Sequence, residues 1–217
     1  MNTLIIDNYD SFTYNLAEYI RQCGVKDFDV FRNDEISLEQ CATYDQIIIS
    51  PGPGVPSDAG IINELVKELG PKKKILGICL GMQAIGEVYN CQLTNLPEVF
   101  HGRATTIERF DTNEPVFAGL PRSFKVGRYH SWGIDLPSVS QEFELLAGDE
   151  NGIAMAIRHK EFDMVGLQFH PESVLTEHGI QMIANWLNVP EPQMEVCLPA
   201  ADSAAYDINR IERSLFL

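Results

Sequence analysis

Cys79 sits in Gly77-Ile78-Cys79-Leu80-Gly81, where an apolar run ends and a helical pattern begins. Glycines two before and two after it permit a sharp strand-to-helix turn with the side chain at its apex. A sulfur there lies at a helix N-terminus, whose free N–H groups and dipole favour thiolate over thiol. Such a nucleophile needs a base, and the base needs an orienting group. Val165-Gly166-Leu167-Gln168-Phe169 reads as a strand leading into His170-Pro171-Glu172. Residues two apart in extended chain point to one side, so His170 and Glu172 converge, with Pro171 stiffening the link. Glu172 is then placed to hold one ring nitrogen while the other faces the thiol. Pro51-Gly52-Pro53-Gly54 adds a third piece. Gly54 keeps its N–H and carries no side chain, which suits a donor to a developing oxyanion, with the Leu80 N–H as the second. Taken singly, each feature has a plain structural reading. A lone cysteine is most often a small buried hydrophobe, a strand-end histidine is most often structural, and Pro-Gly-Pro-Gly is a turn. Their coincidence in one domain points to acyl-transfer chemistry.

The elements that must position these groups alternate in type. Leu4-Ile5-Ile6 and Ile47-Ile48-Ile49 are short apolar runs of strand length, and Phe28 to Phe31 and Lys74 to Ile78 are two further strand candidates. Between them, Phe12, Leu16, Tyr19, Ile20 and Cys23 form one helical stripe, with Asp10 or Ser11 as the expected cap and Gly24 as the stop. Ile61, Ile62, Leu65, Val66 and Leu69 form a second stripe, and a third helix runs from Cys79 toward Tyr89. Strand, helix, strand in short succession implies parallel strands with right-handed crossovers, hence an α/β fold with an open, mostly parallel sheet flanked by helices. Its ligand site belongs beyond the carboxyl ends of the strands. From about Gln92 to Phe169 the pattern changes to short strands and turns, which predicts a small antiparallel extension. Thr176 to Leu187 reads as the closing helix. The domain is expected to span residues 1–188, with 189–217 as a proline-interrupted tail whose Ile208, Ile211, Leu215 and Phe216 are weakly amphipathic. A tail lying against its own domain is favoured over a partner-docking helix.

Composition narrows the function classes. The chain has 217 residues, 45% hydrophobic and 22% charged, with a formal net charge of −15. That charge argues against non-specific binding to nucleic acid or to an anionic membrane, and is compatible with a basic partner face. No run approaches the roughly 18 apolar residues of a membrane span, and the start of the chain reads as a strand rather than a signal peptide. The five cysteines, Cys23, Cys41, Cys79, Cys91 and Cys197, form neither a disulfide framework nor a metal spacing, so a reduced cytoplasmic setting is expected, with no metal and no cofactor. His101 and His130 read as structural supports, and His159 and His178 as surface residues.

Ser-Pro-Gly-Pro-Gly, Gly-Ile-Cys-Leu-Gly-Met-Gln and Gln-Phe-His-Pro-Glu, in this order, give the chain a resemblance to the class I (triad) glutamine amidotransferases. Asp7-Asn8-Tyr9-Asp10-Ser11-Phe12-Thr13-Tyr14-Asn15 and Arg128-Tyr129-His130-Ser131 resemble, within that family, the amidotransferase subunits of anthranilate synthase and aminodeoxychorismate synthase. The resemblance spans roughly residues 3 to 188. It implies a flavodoxin-like sheet and hydrolysis of L-glutamine to glutamate and ammonia, with the ammonia passed to a chorismate-binding synthase subunit. It implies Cys79, His170 and Glu172 as catalytic residues and Gly54 and Leu80 as the oxyanion hole. Gly52, Gly54, Gln83, Ser131 and Trp132 are implied to contact glutamine, the last two through their backbone. Met82 stands where relatives usually have His, and Trp132 where an aliphatic residue is common. The Asn8 to Phe12 loop and the neighbourhood of Met82 are expected to face the synthase.

Other readings share these residues. A catalytically silent regulatory subunit keeps the fold without turnover, and another amidotransferase serves a different acceptor. A cysteine peptidase on a similar sheet shares the turn at Cys79 but leaves the Ser131 segment unexplained.

Overall fold

A computed structural model describes residues 1–110 and 113–192. The elements are β1 (Thr3–Asp7), α1 (Thr13–Gln22), β2 (Phe28–Arg32), α2 (Leu38–Cys41), β3 (Gln46–Ile49), α3 (Ile62–Leu69), β4 (Lys74–Ile78) and α4 (Leu80–Val88). They continue with β5 (Leu93–Asn95), β6 (Arg103–Arg109), β7 (Ser123–Arg128), β8 (Trp132–Ile134), β9 (Phe143–Gly148), β10 (Ala154–His159), β11 (Met164–Leu167) and α5 (Gly179–Leu187).

One sheet runs β2-β1-β3-β4-β11-β10-β9-β6-β7, and β5 pairs with β8 in a separate two-stranded ribbon. The first five strands pair in parallel, in the order that characterises flavodoxin-like sheets. The other four continue the sheet antiparallel from β11 outward. Parallel strands need both faces covered, and the sequence supplies this by alternation. Ile5, Ile48, Leu76 and Ile78 turn to one face, under α1 and α5. Leu4, Ile6, Ile47, Ile49 and Ile75 turn to the other, under α3 and α4. The side chains of all nine are fully buried.

Several local expectations are corrected. The N-cap of α1 is Phe12 with no side-chain cap. Asp10 instead folds its carboxylate back to accept from the Phe12 N–H at 2.7 Å, a local turn that competes with capping. The closing helix α5 begins at Gly179 rather than Thr176. Thr176 is drawn out of the helix because its hydroxyl donates to the His170 carbonyl at 2.5 Å and accepts from the Gly127 N–H at 2.9 Å. His159 is buried, not on the surface, stacked on Phe162 with Tyr89 and Phe143 edge-on. Met82 is fully buried and packs where a Cβ on Gly166 of β11 would collide with it, so its side chain belongs to the core rather than to an exposed face. The amphipathic stretch from Ile208 to Phe216, and Cys197, lie outside the described residues.

Candidate active site

Four parallel strands end on one edge of the sheet, and each is followed at once by a residue of the site. β1 delivers Asn8, β3 delivers Ser50 and the Pro51–Gly54 loop, β4 delivers Cys79, and β11 delivers Gln168 and His170.

Cys79 adopts φ 52°, ψ −101°, a conformation that side chains rarely occupy. The strain is held by backbone bonds on both sides. The Cys79 N–H donates to the Leu167 carbonyl at 2.7 Å, and its carbonyl accepts from the Gln83 N–H at 3.0 Å. The flanking glycines are a steric requirement as well. A Cβ at Gly77 would lie 2.4 Å from the Gly81 backbone, and one at Gly81 would lie 2.5 Å from the Ile49 carbonyl oxygen. The sequence thus sets a sharp strand-to-helix elbow with its sulfur at the first turn of α4.

His170 and Glu172 meet as their spacing implies. The His170 Nδ1 stands 2.8 Å from Glu172 Oε1, with both side chains buried. A carboxylate acceptor there puts the proton on Nδ1 and turns Nε2 toward the sulfur. Among the described residues Nε2 has no well-formed hydrogen bond. Burial works against a charged ring, but the neighbouring Cys79 sulfur and the Glu172 carboxylate outweigh it and push His170 up to about 10. The ring is therefore an imidazolium at neutral pH. Burial pushes Glu172 up, opposed by its bond to His170. Phe12 and Tyr129 wall the ring, with centroids 5.4 and 4.8 Å from it.

A cleft of about 100 Å³ is lined by Gly52, Gly54, Cys79, Gln83, Ser131 and Trp132, together with Pro53, Tyr129 and His130. Gly54 has φ +76° and open space around it, while a Cβ at Gly52 would strike Asn8 and Leu80. The Gly52 loop is pinned from below. Asn8 Nδ2 donates to the Ser50 carbonyl at 2.8 Å, and Asn33 Nδ2 donates to Asn8 Oδ1 at 3.0 Å. A larger cleft of about 360 Å³ opens beside Leu96, Phe100 and Ile153 and includes neither Cys79 nor His170.

The far wall comes from the antiparallel half. Gln83 Nε2 donates to the Trp132 carbonyl at 2.9 Å, which also meets His130 Nδ1 at 2.7 Å. Arg128 Nε donates to His130 Nε2 at 3.1 Å and its Nη1 pairs with Asp149 at 2.6 Å, all buried. Burial, then the Arg128 charge, push His130 down to about 3, so it is neutral. Reading the chain from its sequence did not single out Gln168, Arg128 or Asn8 individually. Gln168 lies two residues before His170 on the same strand end, and that parity was the available signal.

Among the described residues no helix is long and apolar enough to cross a membrane, and no group of three or more His, Cys, Asp or Glu stands together as metal ligands. Cys23, Cys41, Cys79 and Cys91 are free and buried.

The chain matches the family model described as Glutamine amidotransferase class-I over residues 4–189. It is 44% identical over 188 residues to anthranilate synthase component 2 of Cyanophora paradoxa, covering 85% of this chain and 97% of that one. It is 42% identical over 187 residues to aminodeoxychorismate synthase component 2 of Klebsiella aerogenes, covering 85% and 98%. Anthranilate synthase beta subunit 2, chloroplastic, of Oryza sativa subsp. japonica is 40% identical over 205 residues, covering 90% and 74%. Among solved structures, a Thermoplasma acidophilum protein superposes with a TM-score of 0.77 at 23% identity over 87% of this chain and 92% of that one. A glutamine amidotransferase from Thermotoga maritima gives 0.69 at 19% identity over 87% and 81%. Those two support the fold, and the family model with the three close relatives supports more: the chain belongs to the class I glutamine amidotransferases.

Proposed function

We propose that this chain is the glutaminase subunit of a chorismate-using synthase, hydrolysing L-glutamine to glutamate and ammonia and passing the ammonia to a synthase subunit that makes anthranilate or 4-amino-4-deoxychorismate. The observation that carries the glutaminase reading is the strained Cys79 elbow facing a His170 held by Glu172 at 2.8 Å. The synthase partner is supported by relatives named as components of both synthases at 42–44% identity.

Cys79 Sγ, as the thiolate, attacks the carboxamide carbon of glutamine, and the C=O electron pair moves onto oxygen. The backbone N–H groups of Gly54 and Leu80 receive that oxyanion. On collapse of the tetrahedral intermediate the C–N bond breaks, and His170 Nε2 gives its proton to the departing nitrogen, releasing ammonia and leaving a thioester on Cys79. Neutral His170 then takes a proton from water as that water adds to the thioester carbon. The C–S bond breaks, glutamate leaves, and the imidazolium and thiolate are restored. Glu172 orients the ring and balances its charge throughout. Gly52, Gly54, Gln83, Ser131 and the Trp132 backbone hold the substrate. The exposed ring of Tyr9 and the Asn8 to Phe12 loop beside His170 form the face offered to the synthase.

Residues 1–188 are the catalytic domain and 189–217 an appended tail. The four cysteines among the described residues, free and buried, suit a reducing compartment such as the cytoplasm. Glutamate release from glutamine is the test, by wild type and Cys79→Ala, each alone and with a chorismate-binding synthase. Release that rises with the synthase and vanishes in Cys79→Ala is expected. A stable complex with no release under any condition would make the chain a silent regulatory subunit.

A further inference from the structure

A run of buried hydrogen bonds joins Arg128 to the Cys79 sulfur, and the chemistry of its first member fixes the direction of the rest. A guanidinium only donates, so the Nε–H of Arg128, 3.1 Å from His130, makes His130 Nε2 the acceptor. The proton of this neutral ring must then sit on Nδ1, which donates to the Trp132 carbonyl at 2.7 Å. The same carbonyl requires the NH2 end of Gln83 at 2.9 Å, so the Gln83 carboxamide has one orientation. The second hydrogen of that NH2 goes to Gln168 Oε1 at 3.2 Å, which fixes the Gln168 carboxamide in turn. Its NH2 end is left facing Cys79 Sγ at 3.5 Å, within hydrogen-bond range for sulfur. Gln168 is fully buried, so no water competes for that donor. Phe100 covers the far end, stacked on His130 and over the Arg128 guanidinium.

We propose that Gln168 is a further catalytic residue: its carboxamide NH2 donates to the Cys79 sulfur and stabilises the thiolate, and Arg128 and His130 are positioning residues that aim it through Trp132 and Gln83. The proposal rests on the reading of Cys79 as the nucleophile. A donor on the sulfur strengthens when the sulfur is charged and weakens in the thioester. It therefore holds the resting thiolate and eases its departure from the thioester. The arrangement also ties the two halves of the cleft, since the carbonyl on the substrate-gripping wall and the sulfur share one hydrogen-bonded path.

The test reads the thiol directly. The rate of Cys79 alkylation by iodoacetamide is followed against pH in wild type, Gln168→Leu and Gln168→Met, neither of which retains a donor. The acid limb is expected to move up by about one pH unit in both, because a hydrogen bond to a charged group is worth about a tenfold change in equilibrium. His130→Asn should move it in the same direction by less. An unmoved limb in a folded Gln168 variant would overturn the proposal. Wild type that resists alkylation at neutral pH would instead overturn the nucleophile reading beneath it. A measurement on the unaltered fold removes dependence on the variants. The side-chain amide resonances of Gln168 should shift with the same midpoint as the Cys79 titration, and resonances constant through that midpoint would refute the contact.

Discussion

The two halves of the sheet divide the work differently. The parallel half, β2-β1-β3-β4-β11, ends in Cys79 and His170, the reacting groups of the proposed mechanism, and in the Gly52–Gly54 loop. Among the described residues, the antiparallel half and its ribbon contribute the wall formed by Tyr129, His130, Ser131 and Trp132. The parallel half holds Cys79 in a strained conformation at the end of strands whose own side chains are largely apolar and buried. The antiparallel half adds a buried ion pair, Arg128–Asp149, and orders polar groups by hydrogen bonds. In the proposed mechanism strain presents a nucleophile and a polar network sets orientation, and each needs the other across a narrow cleft.

Changes that break this division should rank in order. Cys79→Ala is expected to lower glutamine turnover by roughly 10⁴-fold or more, as loss of a nucleophile does, while Cys79→Gly should be equally inactive yet more stable. Relief of the φ 52° conformation offsets the entropy cost of glycine and leaves a gain of about 1 kcal/mol, read as a rise in Tm. A fall in Tm for Cys79→Gly would mean the elbow is not strained. In the middle of the parallel half, Ile48→Ala should cost about 2–5 kcal/mol in denaturant unfolding, since it opens a cavity between β1 and β4 under α1 and α5.

The antiparallel half should answer to pH. His130 is held near 3, below its ordinary 6.5, so the folded state disfavours its proton. Stability from this group is complete above pH 6.5 and falls with pH toward 3 at up to about 1.4 kcal/mol per unit. His130→Asn should flatten that slope in urea unfolding between pH 6.5 and 4, and a slope unchanged by the substitution would detach His130 from the network. His170 carries the opposite sign. Its folded value of about 10 makes its contribution full below pH 6.5 and lost as pH rises to about 10. In Cys79→Ala the sulfur no longer supports the imidazolium, so the titration of the His170 ring, followed by NMR, should move down.

The same division explains what the sequence revealed. Runs such as Ile47-Ile48-Ile49 are buried on both faces and read as strands without help from context. Gly77 and Gly81 announce the elbow because no other residue fits against the Gly81 and Ile49 backbones. In the antiparallel half, β5, β6, β8 and β9 mix exposed and buried positions irregularly, which leaves no clean strand period to read. His159 reads as a surface residue for a related reason. Its aromatic cage comes from Tyr89, Phe143 and Phe162, and the first two are distant in sequence. Thr176 reads as the start of a helix because its bonds to Gly127 and His170 are tertiary. Gln168 sat inside a recognised motif, yet its contact with Cys79 spans 89 positions and no local pattern encodes it.

The most direct test of the central claim is covalent labelling of the wild-type protein by a chloroketone analogue of glutamine, read by intact mass and peptide mapping. One label per chain, on Cys79 alone and suppressed by excess glutamine, is the predicted result. Labelling of Cys23, Cys41 or Cys91 instead, or no label that glutamine suppresses, would contradict the account.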